Sequence, residues 1–278
     1  MYKSKIILTG IATICTIGMA YSQDRQFVRT YQSTVLPKGG MDIEAWTTFR
    51  TGREYFYNRL DNRLEFEIGI TDKLQTAFYL NSSHKAFGAN FDTLGGIKDT
   101  SIIGVFKESE FSVSSEWKWK LSDPSANNLG SALYAELSIT PGEIEIENKL
   151  ILDKKTEKNI FALNLVNEYE IKYDVKKGVT ERKWEDGIEI DLGFMHMLKQ
   201  NLGLGLEMRN HNEIMKDGWE HSALFGGPTL FYSGNKHFII LNILPQWANL
   251  HKTDDAPNNM VLNEHEKLEI RLLFGFSF

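Results

Sequence analysis

Ionisable side chains at every second position are the chemically telling feature of this sequence. Lys267, Glu269 and Arg271 alternate with Leu268, Ile270 and Leu272, and Arg63, Glu65 and Glu67 alternate with Leu64, Phe66 and Ile68. Glu116, Lys118 and Lys120 alternate with Trp117, Trp119 and Leu121, while Glu145, Glu147 and Lys149 are interleaved with Ile144, Ile146 and Leu150. The same parity assigns Asp42, Glu44, Arg50, Glu136, Glu168, Glu170, Lys172, Glu189, Asp191, Glu207, Arg209 and His211 to the polar side of their segments. Strand side chains alternate between two faces, so each segment has one oily and one charged face. A file of charges enclosed by strands acts electrostatically. It either pairs with itself and stiffens an interior, or selects a charged solute in a watery passage. With His211 set aside, these positions are fourteen acidic and nine basic, an excess that would favour cations in an open passage.

Covalent and metal chemistry have thinner support. A serine nucleophile needs a histidine within hydrogen-bond reach and an orienting polar group. The candidates are Ser82-Ser83-His84, His211 with Glu213, and His221-Ser222, whose neighbours in a strand would face opposite ways. The seven histidines are dispersed along the chain with no HExxH or comparable spacing, so neither a metal site nor a cofactor is expected. Asn212, Glu213 and Asp217, or Asp254 and Asp255, are loop groups able to bind calcium or simply to be solvated. The one cysteine, Cys15, lies in the N-terminal apolar run, which removes disulfides and thiolate chemistry from the rest.

The elements that position the charges are about twelve alternating segments, near 41–52, 60–70, 73–83, 109–121, 131–140, 143–153, 158–173, 184–197, 201–212, 222–233, 236–248 and 264–278. Connections at 71–73, 154–157, 198–200 and 233–236 are short. Those at 84–108, 174–183, 213–221 and 249–263 are long. Short and long connections therefore fall on opposite ends, with 141–143 and 122–130 as exceptions. This is the rhythm of an all-β, single antiparallel up-and-down transmembrane barrel of about twelve strands. Its outer face would carry alternate apolar residues, with Trp117, Trp119, Tyr169, Tyr173, Trp247 and Phe278 near strand ends.

Three regions are expected. Residues 1–22 read as a secretory signal peptide, with Lys3 and Lys5 before the apolar run Ile6–Ala20 and small residues at Ala20-Tyr21-Ser22. Residues 23–40 form a periplasmic lead-in or plug, and 41–278 the barrel. Loss of the signal leaves 29 basic against 37 acidic residues, a net charge of −8. That balance, with no basic-aromatic patch, argues against nucleic acid as partner. Phe274, Phe276 and Phe278 end the chain on an apolar strand face. The segment resembles the C-terminal strand that barrel-assembly machinery recognises, which makes the bacterial outer membrane the expected location and its lipid a partner.

A wider resemblance runs through Leu36-Pro-Lys-Gly-Gly-Met-Asp-Ile-Glu-Ala-Trp46 and Arg63-Leu-Glu-Phe-Glu-Ile-Gly-Ile-Thr-Asp-Lys-Leu-Gln75. These segments resemble the opening of outer-membrane barrels of the meta-pathway phenol-degradation transporter type. Ser115–Pro124, Ala132–Glu136 and Lys149–Lys154 are similar to barrels of Bacteroidetes-type bacteria. The resemblance implies transport of small hydrophobic or aromatic solutes and carries over no substrate residues. Three readings stay open: a narrow channel, a closed structural or surface-interaction barrel, and a lipid-modifying rim enzyme.

Overall fold

Strands with one apolar and one charged face must hide one of them, and closing the sheet on itself encloses the charged face while abolishing every edge. The computed structural model does this with twelve strands, and it describes residues 25–90, 103–176, 179–215, 218–254 and 256–278. The expected signal peptide, and Asp217 and Asp255, lie outside the described residues. The strands are β1 (Met41–Thr51), β2 (Tyr57–Thr71), β3 (Leu74–Asn90), β4 (Ile103–Ser122), β5 (Gly130–Thr140) and β6 (Glu143–Lys155). They continue with β7 (Asn159–Lys176), β8 (Val179–Lys199), β9 (Leu202–Met215), β10 (Gly218–Ser233), β11 (His237–His251) and β12 (Leu268–Ser277). Each pairs antiparallel with its sequence neighbours, and β1 closes on β12. At the seam Glu44 lies opposite Gly275 and Arg50 opposite Glu269. The fold is thus the all-β up-and-down barrel of about twelve strands that the alternation predicts.

The outer face is the apolar one. Leu80, Phe111, Trp117, Trp119, Leu133, Leu192, Leu206, Leu272, Phe274 and Phe278 all stand exposed. The opposite parity is buried. Trp46, Leu273 and Phe238 share that inner side with the charges, so the inner face is not purely polar. Leu273, the apolar exception of the last segment, belongs to an inner cluster that includes Phe27 and Val28.

Several expected long connections are strand instead. β3 and β4 pair from Leu74 opposite Trp119 out to Asn90 opposite Ile103, well into the expected loop 84–108. β7 and β8 pair through Lys176 and Val179, and β9 and β10 through Met215 and Gly218. Beyond the apolar band neither face is buried, so alternation stops although the hydrogen-bond ladder continues. Cross-strand pairs support the extension, such as Lys85 Nζ with Glu108 Oε2 at 2.7 Å and Phe87 with Phe106 at 5.9 Å between ring centroids. The exception is the connection of residues 252–267 between β11 and β12, whose described residues form no strand and turn inward. Asn249 Nδ2 donates to the Ala256 carbonyl at 2.9 Å, Gln246 Oε1 accepts from the Val261 amide at 2.6 Å, and Val261 is fully buried.

Candidate functional site: the barrel interior

The segment before β1 runs inside the barrel. It enters at the short-turn end, where Gly39 takes φ 82°, a conformation natural to glycine, and its amide donates to the Gly69 carbonyl at 2.8 Å. From there Leu36 N donates to Gln75 Oε1 at 2.8 Å and Ser33 N to Asp153 Oδ1 at 3.3 Å. Asn164 satisfies both backbone groups of Tyr31, accepting from its amide at 2.6 Å and donating to its carbonyl at 2.9 Å. The amides of Val28, Arg29 and Thr30 converge on the Glu207 carboxylate at 3.1, 2.8 and 2.9 Å. A segment without secondary structure must find such partners for its buried backbone groups, and here the wall supplies them. Phe27, Val28, Tyr31 and Leu36 are buried side chains of the same segment. Room for Phe27 exists because Gly193 of β8 has no side chain; a Cβ there would lie 2.9 Å from the ring.

Two arginines of the segment meet the wall's acids. Arg25 Nη1 reaches Glu44 Oε2 at 2.7 Å, and its guanidinium lies over Tyr31 and Trp46 at 4.7 and 5.1 Å from their ring centroids. Burial pulls the Arg25 pKa down, but Glu44 and the other acids facing it outweigh that and hold it well above its usual value. Arg29 pairs with Glu269. The acids need such company, because their register sets like charges opposite one another: Asp42 faces Glu67 and Glu44 faces Glu65, and Glu116, Glu136, Glu147 and Glu168 form a chain across β4–β7.

The sequence-assigned interior residues are distributed as follows. Glu44, Glu65, Glu67, Glu116, Lys118, Glu136, Glu189, Asp191, Glu207, Arg209 and Glu269 are buried. Arg50, Arg63, Glu145, Glu147, Lys149, Glu168 and Arg271 are partly buried on the same side. Arg63 Nη2 meets Glu136 Oε1 at 3.2 Å, Lys149 Nζ meets Glu147 Oε1 at 2.9 Å, and Arg209 binds Glu189 and, at 3.1 Å, Glu269. Asp191 lies opposite Arg209 in the β8–β9 register. Lys267 departs from the set: it is exposed and precedes β12, because residues 264–267 belong to the inward connection and not to the expected strand 264–278. Phe274, Phe276 and Phe278 point outward.

Above the segment, toward the long-connection end, lies a cavity of about 330 Å³. Arg29, Arg50, Arg59, Arg63, Arg209 and Arg271 line it together with Trp46, and Asp61, Glu110, Glu143, Glu145 and Glu168 also contribute. Most of these guanidiniums are committed to carboxylates. Arg50 pairs with Asp61 and Glu266, both at 2.9 Å, and Arg59 pairs with Asp61 at 2.6 Å. Arg271 differs. Its Nε donates to Thr48 Oγ1 at 2.6 Å and its guanidinium lies 4.9 Å from the Trp46 ring centroid, while no carboxylate among the described residues is within ion-pair distance.

This arrangement matches one family over nearly its whole length. The chain belongs to a family of unknown function, DUF6662. The match covers residues 19–278. No curated protein matches the sequence. Among solved structures the fold is similar to the COG4313 outer membrane channel from Pseudomonas putida F1, with TM-score 0.62 and 11% identity over 91% of this chain and 100% of that one. It is also similar to the NanC porin, with TM-score 0.53 and 10% identity over 85% and 100%. The beta domain of the Bordetella autotransporter BrkA gives TM-score 0.51 and 11% identity over 87% and 100%. At such identities the likeness is one of fold, and the fold is that of outer-membrane barrels.

For the DUF6662 chain, the side chains that sequence reasoning kept apart are informative too. His211 of β9, His221 of β10 and His265 of the inward connection meet near the long-connection end. Dispersal along the chain was therefore no guide to dispersal in space. Burial, with His211, Arg209 and His221 nearby, holds His265 well below the usual histidine pKa, so it is neutral at pH 7. The rim-enzyme candidates do not assemble. His84 Nδ1 meets Ser109 Oγ at 2.9 Å, but no carboxylate orients that ring among the described residues, and Ser222 Oγ accepts from Asn210 Nδ2 at 2.9 Å.

Proposed function

We propose that the chain is a bacterial outer-membrane channel for small solutes, gated by residues 25–37 at its short-turn, periplasmic end. Support comes from the barrel's likeness in fold to outer-membrane channels and from an interior that changes from filled to hollow along its axis. The C-terminal aromatics Phe274, Phe276 and Phe278 would serve recognition by the assembly machinery, and the apolar outer face would meet membrane lipid.

The observation that carries the solute class is Arg271. A guanidinium in the cavity wall with no carboxylate partner among the described residues suits a small organic solute bearing a carboxylate, such as an aromatic acid, whose charge meets Arg271 in the cavity that Trp46 also lines. This reading replaces the cation preference inferred from counting acids, because Arg25 and Arg29 neutralise part of that excess from within. The test is planar-bilayer recording of the refolded chain with benzoate, cyclohexanol and a small organic cation. Benzoate should permeate or block, and Arg271→Gln should weaken its effect by roughly tenfold, the loss of one charge-assisted contact of about 1.5 kcal/mol. No conductance with any solute would end the channel reading. A second reading, a closed barrel that only presents its surface, is favoured by the dense anchoring of the segment, and that outcome would support it.

A further inference from the structure

The three histidines near the outer mouth are used by neither the gate nor the solute cavity. His221 Nε2 and His265 Nε2 are 3.0 Å apart, and the His211 and His265 rings are 5.0 Å apart between centroids. One ring nitrogen from each of the three lies within 4.8 Å of the others. His221 is fully buried and its Nδ1 has no hydrogen-bond partner, so a finished hydrogen-bond network does not account for the cluster.

We propose that His211, His221 and His265 bind a divalent transition-metal cation of the zinc type, which clamps the inward connection of residues 252–267 onto the β9–β10 wall. Zinc–imidazole bonds of about 2.0–2.1 Å in tetrahedral geometry set ligand nitrogens about 3.3 Å apart. The His221–His265 pair, 3.0 Å apart, is close to that spacing, and the His211 nitrogen, within 4.8 Å of both, would have to close by up to about 1.5 Å on binding. His211 Nδ1 lies 3.2 Å from Glu189 Oε2 and 3.4 Å from Arg209 Nη2; in the tautomer that donates to Glu189, its Nε2 is left for the metal with the carboxylate–histidine support usual behind such ligands. Glu213 Oε2 lies 3.5 Å from His221 Nε2 but groups with Glu220 and not with the other two rings, so the fourth position is left to a water. Imidazoles dominate the set, which selects against calcium and magnesium, whose sites are built of oxygen.

The site has a clear positional logic. β9 and β10 are neighbours whose register places Glu213 opposite His221, and a register shift between Trp219 and His221 re-aims His221 inward. The third ligand comes from the connection between β11 and β12, whose described residues form no strand. Its next residue, Glu266, already binds Arg50 at 2.9 Å, and Thr253 Oγ1 donates to the Glu220 carbonyl of β10 at 2.9 Å, so the metal would tighten a segment already tethered on both sides.

The experiment uses the full chain, refolded without a histidine tag and stripped with chelator, titrated calorimetrically with zinc chloride and in parallel with calcium chloride. One zinc per barrel and no calcium binding are expected. His265→Ala and His211→Ala should each weaken zinc binding by at least about 100-fold, since loss even of a supporting residue costs 10–100-fold. Unchanged heat-modifiable gel mobility checks that the variants are folded. Unchanged zinc affinity in both, or calcium binding as tight as zinc, overturns the proposal. Cobalt added to the unaltered chain gives a reading that needs no variant. The intense visible absorption of four-coordinate cobalt is expected, and the faint spectrum of the hexahydrated ion would contradict the site. None of these readouts depends on conductance, so the metal site and the channel stand or fall separately.

Discussion

The two halves of the barrel interior are built from the same alternating strands and end up unlike. At the short-turn end Phe27, Val28, Trp46, Ile160, Met195, Phe231, Phe238 and Leu273 close into a buried cluster, and the backbone of residues 28–30 is held on Glu207. At the long-connection end the same parity leaves a hollow of about 330 Å³ lined by arginines. The difference comes from what is brought to the wall, not from the wall's own pattern. A barrel of this size cannot fill its interior from wall side chains alone. Where an extra segment enters, the interior becomes a core; where none does, ion pairs line a hollow. An interior filled at one end and hollow at the other follows from adding one short stretch of chain.

The comparison can be broken most forcefully at Phe27. Phe27→Ala removes the ring seated against Gly193 and should weaken docking of the segment by about 3–5 kcal/mol, the usual cost of truncating a buried aromatic. The expected outcome is a barrel that folds normally but is open far longer in single-channel records, with its interior made alike from end to end. Glu207→Ala attacks the same contact through hydrogen bonding. It strips the shared acceptor from three backbone amides, two of them fully enclosed, and Thr229 Oγ1 loses its acceptor at 2.8 Å while keeping the donor Asn242. Orphaned buried donors cost about 1–3 kcal/mol, so docking should weaken roughly 5- to 150-fold, read as faster proteolysis within residues 25–37. An unchanged open fraction in both variants would mean that the two halves differ for some other reason.

The strand pattern was legible because lipid on one side and enclosure on the other impose strict alternation over the middle of each strand. Glu65 and Glu67 could be assigned inward from Leu64 and Phe66 alone. Strand ends were not legible: β3 and β4 run on to Asn90 and Ile103 through a region where neither face is buried, so no alternation marks it. The position of residues 25–37 was left open between lead-in and plug for a related reason. Their partners Gln75, Asp153, Asn164 and Glu207 come from β3, β6, β7 and β9, and no local periodicity encodes contacts to four separate strands. Lys267 is exposed just before β12, where its amide still donates to the Gly52 carbonyl at 2.8 Å, so alternation alone does not tell the end of the strand from the rim. The histidine cluster was hidden because it depends on one bulge and one inward turn. No local periodicity in the connection between β11 and β12 marks His265 as a partner of the other two.

The most direct test of the central claim is a reversible lock on the N-terminal segment. Cys15 is the only cysteine of the sequence and lies in the expected signal peptide, so Ser33→Cys with Asp153→Cys introduces the only pair. These side chains belong to the segment and to β6, joined by a hydrogen bond of 3.3 Å between Ser33 N and Asp153 Oδ1. Single-channel current is recorded before and after reduction, with cross-linking verified by mass spectrometry. If the segment is the gate, the oxidised protein is silent and reduction restores openings. Equal current in the oxidised and reduced states would contradict the account, because solute would then pass a barrel whose segment cannot move.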